Sequence, residues 1–212
     1  MNQLEQLMSE IEQMGEAVKK RVQRSIDALV EKNPEVALEI IREDDLFDNE
    51  LIVFEDKITR FIAEKNPHGK ELRRSLSIFK MAKDLERIAD YATNIAEIVL
   101  ELKNDKYIKP LIHIPKLASL ALNMLEVALR AFLDGNPDLA EAVCRKDEEA
   151  DNLCDTIYNE LTSEDFSEGQ PRSIRQIVRF NMIARFLERI ADHATNIGEE
   201  TILLHTGKRV KY

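Results

Sequence analysis

Acidic side chains spaced four residues apart recur at equivalent places in the two halves of this chain. Two rows place a Glu, an Asp and an Asn at successive intervals of four: Glu86, Asp90 and Asn94, and Glu188, Asp192 and Asn196. Two further pairs have the same spacing, Asp44 with Asp48 and Asp147 with Asp151. Residues at i and i+4 share one face of a helix. Carboxylate and amide oxygens are hard donors that suit Mg, Ca, Mn or Fe, so these rows could bind cations.

The same rows allow a second interpretation, in which they are solvated acidic surface. Runs of charge are usually wet helix faces, and basic residues are available as partners. Against this, the apolar seam that contains Phe47 lands on Asp44 when it is extended backward by three residues, and Asp147 is the equivalent residue. A carboxylate on that line would be half-buried and would need a cation or hydrogen-bond donors. We therefore predict that rows on neighbouring helices face each other and gather about four carboxylates in each half.

The chain is a duplicated unit. Residues 85–97 and 187–199 are identical at eleven of thirteen positions, at an offset of 102. A hydrophobic core tolerates drift among side chains of similar size, but a polar row needs another reason to stay the same in both copies. The duplication therefore favours a role for the acidic rows.

Turn-forming residues divide the chain into helices. Asn33-Pro34 and Asn136-Pro137 are aligned helix starts, and residues 66–69 and 167–171 mark further breaks. The predicted helices span about residues 2–32, 35–65, 70–103, 115–134, 137–163 and 172–206. Long helices with short connections pack antiparallel. The expected fold is all-α, with two tandem, pseudo-symmetric three-helix bundles (six long helices) in domains 1–106 and 107–212.

Heptad seams support this organisation. The seam of the third helix consists of Ile78, Met81, Leu85, Ile88, Ala92, Ile95, Val99 and Leu102. The seam of the sixth helix consists of Ile183, Leu187, Ile190, Ala194, Ile197, Thr201 and Leu204. These two helices are long enough to pack along one another. Cys144 and Cys154 fall in one predicted helix and align with Ile41 and Leu51, so we expect reduced, buried core residues.

The composition limits the classes of function. The net charge of −10 repels nucleic acid and anionic membrane surfaces. We find no signal peptide and no segment near the roughly 20 apolar residues of a membrane span. The chain also lacks a P-loop, a dinucleotide-binding turn, zinc-type Cys/His spacing and the Glu-x-x-His of di-iron proteins. The sequence therefore predicts no catalytic and no cofactor-binding residue apart from the acidic rows.

A family resemblance rests on several of these motifs. They are Glu71-Leu72-Arg73, Lys80, residues 84–90, residues 94–97, residues 188–197 and the ending at residues 206–210. Together they resemble the PhoU family over nearly the whole chain. The chain departs from the family pattern where Ser173-Ile174-Arg175 stands in place of Asp-Leu-Arg, and where Ala89 and Ala191 replace the usual Gly. Alanine suits a helix better than glycine, so these departures agree with the fold, and contacts with partners near Arg73 and Arg175 are where differences are expected.

The resemblance implies a function that composition and spacing do not. It implies a cytoplasmic negative regulator of phosphate uptake and phosphate-starvation signalling. The expected partners are the ATPase subunit of a high-affinity phosphate ABC transporter, a sensor histidine kinase and a second copy of the chain. Contact with the membrane would occur only through these partners.

The resemblance also implies a ligand for the acidic rows. Some PhoU proteins bind iron or other metal clusters through E/D-x-x-x-D motifs, and Mg, Mn, Ca, Zn or Ni remain open alternatives to iron. The matching residues are Asp44, Asp48, Glu86, Asp90, Asp147, Asp151, Glu188 and Asp192, with Asn94 and Asn196 as further oxygen donors. Two alternatives to a regulator remain, a metal-dependent enzyme that uses the carboxylates and a metal-free helical scaffold.

Overall fold

The structure, a computed structural model, describes residues 3–163 and 171–212, which form an all-α protein. The described residues contain eight helices: α1 Gln3–Glu31, α2 Pro34–Arg42, α3 Asp44–Lys65, α4 Lys70–Leu102, α5 His113–Asp134, α6 Pro137–Cys144, α7 Asp147–Thr162 and α8 Pro171–Thr206. In each repeat, a first helix, an interrupted second helix and a long third helix form one bundle. The predicted all-α fold of two three-helix bundles is confirmed.

The difference between six predicted and eight observed helices lies in the second helix of each repeat. One residue, Glu43, separates α2 from α3, and two residues separate α6 from α7. The backbone stays close to helical at the break, with φ −76° and ψ −9° at Glu43. No glycine or proline is needed for such a small deviation, so the sequence carries no sign of it. As one consequence, Cys144 and Cys154 lie in different helices, both as buried free thiols.

Asparagine caps start α2 and α6, as predicted. The Asn33 side chain accepts hydrogen bonds from the backbone N–H groups of Glu35 and Val36 at 3.1 and 3.2 Å. Asn136 accepts one from Leu139 at 3.0 Å, and a proline follows each cap at the first helical position. These bonds satisfy N–H groups that have no partner inside the helix. The predicted break at residues 167–171 falls on residues that lie almost wholly outside the described ranges.

The third helix is the centre of each repeat. α4 contacts α1, α2 and α3, and α8 contacts α5, α6 and α7. All eight residues of the predicted α4 seam are at most 3% exposed. The two central helices pack antiparallel, as ion pairs at both ends show, Lys80 with Glu200 at 2.8 Å and Arg179 with Glu101 at 2.7 Å. The prediction that these helices pack along one another is confirmed, and one continuous core joins the repeats.

The linker between the repeats is tied to both of them. The Gln176 side chain donates to the carbonyl oxygen of Lys106 and accepts from the N–H of Ile108, both at 3.0 Å. Tyr107 donates its hydroxyl to the carbonyl oxygen of Leu29 at 2.8 Å. The predicted domain boundary between residues 106 and 107 falls within this linker and stays a prediction. In the described part of the chain, no helix is both long and apolar enough to cross a bilayer.

Candidate functional site

The start of α3 packs beside the middle of α4 and brings two acidic rows together. Asp44 and Asp48 on α3 interact electrostatically with Glu86 and Asp90 on α4, and we name these four residues the first cluster. The second repeat places α7 beside α8 in the same way. We name Asp147, Asp151, Glu188 and Asp192 the second cluster. Each cluster therefore combines four carboxylates from two helices.

Mutual repulsion is visible in the first cluster. Burial raises the pKa of Asp48, and the charges of Asp44 and Glu86 raise it further. Burial also raises the pKa of Asp90, where the charge of Arg87 opposes the rise and those of Asp48 and Glu86 add to it. These carboxylates are therefore crowded by charges of their own sign.

The second cluster shows the same repulsion. Burial raises the pKa of Asp147, the charges of Asp192 and Glu188 add to this rise, and a hydrogen bond from Thr195 opposes it. Burial raises the pKa of Asp151, and the charges of Asp147 and Glu188 contribute. The pKa of Asp192 is likewise raised, chiefly by burial. A bound cation would relieve this repulsion, because it favours the charged form of every carboxylate around it.

A threonine of the repeated motif holds the first aspartate of each cluster. Thr93 Oγ1 donates to Asp44 Oδ1 at 2.7 Å, and Thr195 Oγ1 donates to Asp147 Oδ1 at 3.0 Å. Both threonines are buried, with 7% and 4% exposure. The contact fixes α3 against α4 and α7 against α8 at the same point.

The first cluster also contains a buried arginine from α1. Arg21 is 6% exposed, and its Nη2 lies 2.6 Å from Asp44 Oδ1. The same nitrogen donates to Thr93 Oγ1 and to the carbonyl oxygen of Ile40, both at 2.8 Å. Asp44 is therefore a half-buried carboxylate that is paired with a cation and a hydroxyl donor, as its position on the seam requires.

The acids of α4 and α8 also form ion pairs with basic residues three positions earlier. These pairs are Lys83 with Glu86, Arg87 with Asp90, Arg185 with Glu188 and Arg189 with Asp192, at 2.6–3.2 Å. The basic side chains are 50–66% exposed, so each pair contributes at most about 1 kcal/mol. The second interpretation of the acidic rows, a solvated surface with ion pairs, thus applies to the solvent-facing side of each cluster.

The two asparagines of the acidic rows have different surroundings. Asn94 is half-buried on α4. Asn196 is exposed, and its amide donates to Asp84 Oδ1 at 3.4 Å, on the central helix of the other repeat. The structure thus joins Asn196 to the interface between the repeats.

The donor chemistry of the clusters fits a hard divalent cation, while the side-chain positions do not yet form a coordination shell. Across residues 3–163 and 171–212, no three acidic, histidine or cysteine side chains are placed closely enough to hold a metal ion together. The oxygen-only donor set is the kind that hard divalent cations prefer.

Sequence reasoning missed Arg21, Thr93 and Thr195. The α1 seam runs through Val18, and a further step of three residues lands on Arg21, so the position is visible in the sequence. A charged residue at a seam position indicates a buried ionic partner. The threonines belong to the repeated motif, but only the packing of α3 on α4 shows what they contact.

Comparison with protein families finds the PhoU domain twice, at residues 11–99 and 114–201. The chain is 34% identical over 211 residues to the phosphate-specific transport system accessory protein PhoU homolog of Clostridium acetobutylicum, covering 98% of this chain and 94% of that protein. It is 32% identical to PhoU homolog 2 of Thermotoga maritima, covering 93% of this chain and 83% of that protein.

Solved structures give the same result. The crystal structure of PhoU from Pseudomonas aeruginosa matches with a TM-score of 0.91 at 30% identity, covering 97% of this chain and 98% of that one. The phosphate transport system regulatory protein PhoU from Streptococcus pneumoniae matches with a TM-score of 0.89 at 29% identity, covering 99% and 98%. The similarity therefore extends over both repeats.

Proposed function

The chain belongs to the PhoU family, and we propose that it is an accessory protein of phosphate transport that represses phosphate uptake and the phosphate-starvation response. The names of its relatives support this, since they are called accessory or regulatory proteins of the phosphate transport system. The same names favour a role without catalysis of its own. The observation that carries the proposal is the match of both repeats to the PhoU domain, with four carboxylates gathered in each repeat.

The proposed partners are the ATPase subunit of a phosphate ABC transporter, a sensor histidine kinase and a second copy of this chain. The protein would work in the cytoplasm and would meet the membrane only through these partners. Its net charge of −10 supports this, because it opposes direct binding to anionic lipid and to nucleic acid. Regulation would be steric and allosteric, which requires two states that differ in their affinity for a partner.

The proposed ligand of the clusters is a metal ion, iron first, with Mg, Mn, Ca, Zn and Ni as alternatives. Bound metal would supply positive charge between two helices. The carboxylates of the second cluster would hold the metal, Asp147 and Asp151 from α7 and Glu188 and Asp192 from α8. Thr195 would keep Asp147 oriented through its hydrogen bond. Metal binding would thereby stiffen the contact between the second and third helices of a repeat, which is one way to bias a two-state equilibrium.

A deletion experiment tests the regulatory role. In a strain that lacks this gene and any other gene of the family, phosphate uptake should stay high in phosphate-rich medium. The wild-type gene should restore repression. Normal repression in the deletion strain would contradict the proposal.

A binding experiment tests the partners separately. Purified protein should be retained by the immobilised transporter ATPase and by the cytoplasmic part of the kinase, and light scattering should give twice the monomer mass. A matched surface variant, Glu12→Gln on exposed α1 surface, should behave like the wild type. If the protein bound neither the ATPase nor the kinase, the proposed coupling of transporter and kinase would be contradicted, and the family assignment would be unaffected.

A further inference from the structure

The first helices of the two repeats carry different side chains at equivalent buried positions. Asn33 aligns with Asn136, and Asp44 with Asp147, at an offset of 103. At the same offset, all nine buried positions of α1 from residue 11 to residue 29 fall on buried positions of α5. The counterpart of Arg21 is therefore Met124, which is fully buried. The repeat that conserves the acidic rows does not conserve the cation beside them.

Arg21 behaves as a cation built into the first cluster. Its guanidinium is more than nine-tenths buried and bonds directly to Asp44 and Thr93. Its Nε is buried in the same place without a hydrogen-bond partner. The field of the guanidinium also reaches Asp48, where it opposes the rise of the carboxyl pKa. Arginine keeps its charge in proteins, so this positive charge is permanent.

Within the described part of the chain, the second cluster has no such cation. The thioether of Met124 carries no charge, and among the described residues no ion pair involves Asp147 or Asp151. The basic residues that do reach this cluster, Arg185 and Arg189, are 66% and 62% exposed and can turn into water. The negative charge around Asp147 is therefore left without a buried counter-charge.

A second difference lies beside the second cluster. Cys154, a buried thiol with 4% exposure, stands at the position equivalent to Leu51 of the first repeat. Its thiol forms a hydrogen bond with Glu188.

We infer that Arg21 occupies the place of a cation in the first cluster, and that its replacement by Met124 confines divalent metal to the second cluster. This inference rests on the proposed metal binding and narrows it to one of the two repeats. In the first repeat, Arg21 would prevent metal binding at all times. In the second repeat, occupancy of the cluster would depend on the concentration of metal.

Two double variants of the full chain test the inference without touching Arg21. Each protein is equilibrated with Mn²⁺ or, without oxygen, with Fe²⁺, and dialysed. Its metal content is then measured by mass spectrometry and its affinity by calorimetry. Asp44→Asn with Asp48→Asn should bind metal like the wild type. Asp147→Asn with Asp151→Asn should weaken binding at least tenfold. Equal losses in the two variants would overturn this inference and leave metal binding intact, whereas no metal in the wild type would overturn both.

Substitutions at Arg21 of α1 and at Met124 of α5 give the reciprocal test. Arg21→Met should open the first cluster, so that metal per chain roughly doubles, while Arg21→Lys keeps the charge and should leave the metal content unchanged. Met124→Arg should reduce binding at the second cluster. Circular dichroism identifies any variant that does not fold, and the asparagine variants decide the question in that case. An unchanged metal content in folded Arg21→Met would contradict the inference.

Discussion

Asp84 Oδ1 lies 2.8 Å from His193 Nδ1 across the contact between α4 and α8. Their counterparts at the offset of 102, Phe186 and Tyr91, form the other half of the same contact, with ring centroids 5.6 Å apart. The interface between the repeats is thus pseudo-symmetric in position and different in chemistry. One half is a polar pair and the other is a stacked aromatic pair.

This relationship predicts unequal costs for the two halves of the interface. Phe186→Ala removes apolar area and the aromatic contact, so it should lower the free energy of unfolding by about 2 kcal/mol. Asp84→Ala removes the part-buried contact with His193 and the long hydrogen bond from Asn196, and should cost about 1 kcal/mol. Urea denaturation at pH 7 measures both values. Equal costs would show that the polar pair matters as much as the aromatic one.

Arg21→Met should destabilise the protein even without metal. The change leaves Asp44 without its cation, and because the Asp44 side chain is 29% exposed we expect a loss of about 2–3 kcal/mol, less than for a fully buried pair. Adding Asp44→Asn should recover at least about 1 kcal/mol, as a double-mutant cycle would show. The matched control is Arg24→Met, which breaks pairs with the exposed Glu39 and with Glu43 and should cost about 1 kcal/mol or less.

Removing one charge from the second cluster should stabilise the metal-free protein at neutral pH. The pKa of Asp151 is raised in the folded state, so the folded protein binds protons more readily than the unfolded chain there. Stability is then lost as the pH rises through this region, and the loss persists at pH 7. Because Asp151 is exposed, solvent screens this repulsion, so Asp151→Asn should raise the melting temperature by at most about 1–2 °C at pH 7, for a gain of about 0.5 kcal/mol or less.

Lowering the pH tests the cause of that gain. Below the ordinary pKa of aspartate, 3.8, both proteins carry a neutral group at residue 151, so the difference in melting temperature should vanish. Glu149→Gln, an exposed change on the same helix, should have little effect at either pH. A difference that persists at low pH would mean that repulsion is not its source.

Gly198 is where the second repeat packs a helix more closely than the first. A Cβ at this position would lie 2.9 Å from Cys144 Sγ and 3.1 Å from the carbonyl oxygen of Ala140, while the first repeat has Ala96 in the equivalent place. Gly198→Ala should therefore cost about 1–2 kcal/mol, although alanine favours the helix by about 1 kcal/mol.

Two further variants separate these contributions in denaturant titrations. Adding Cys144→Ala should recover part of the loss, because it removes the nearer of the two contacts. Ala96→Gly should destabilise the first repeat by about 2 kcal/mol, because it loses helix propensity and also a buried methyl group. A stabilising effect of Gly198→Ala would show that α6 can shift freely.

Much of the fold can be read from the sequence, because it depends on local periodicity. The duplicated motif predicts two equivalent repeats, the heptad seams identify the buried faces of α4 and α8, and the Asn-Pro pairs mark the starts of α2 and α6. The break at Glu43 could not be predicted, since it leaves the backbone within the helical region and requires no special residue.

The candidate site, too, is partly predictable from the sequence and partly decided by tertiary packing. Spacing by four places each acidic pair on one helix face, and Asp44 is expected to be half-buried because it continues a seam. Which side chain meets Asp44 is a matter of tertiary packing, because Arg21 is 23 residues away on another helix. The spacing of the acidic rows is the same in both repeats, so their patterns alone predict two equivalent clusters. The first helix makes the two repeats different, because it carries a permanent charge at Arg21 and an uncharged thioether at the equivalent Met124. Only the packing of one helix on another brings such a charge to a cluster, as it does for Arg21 and Asp44.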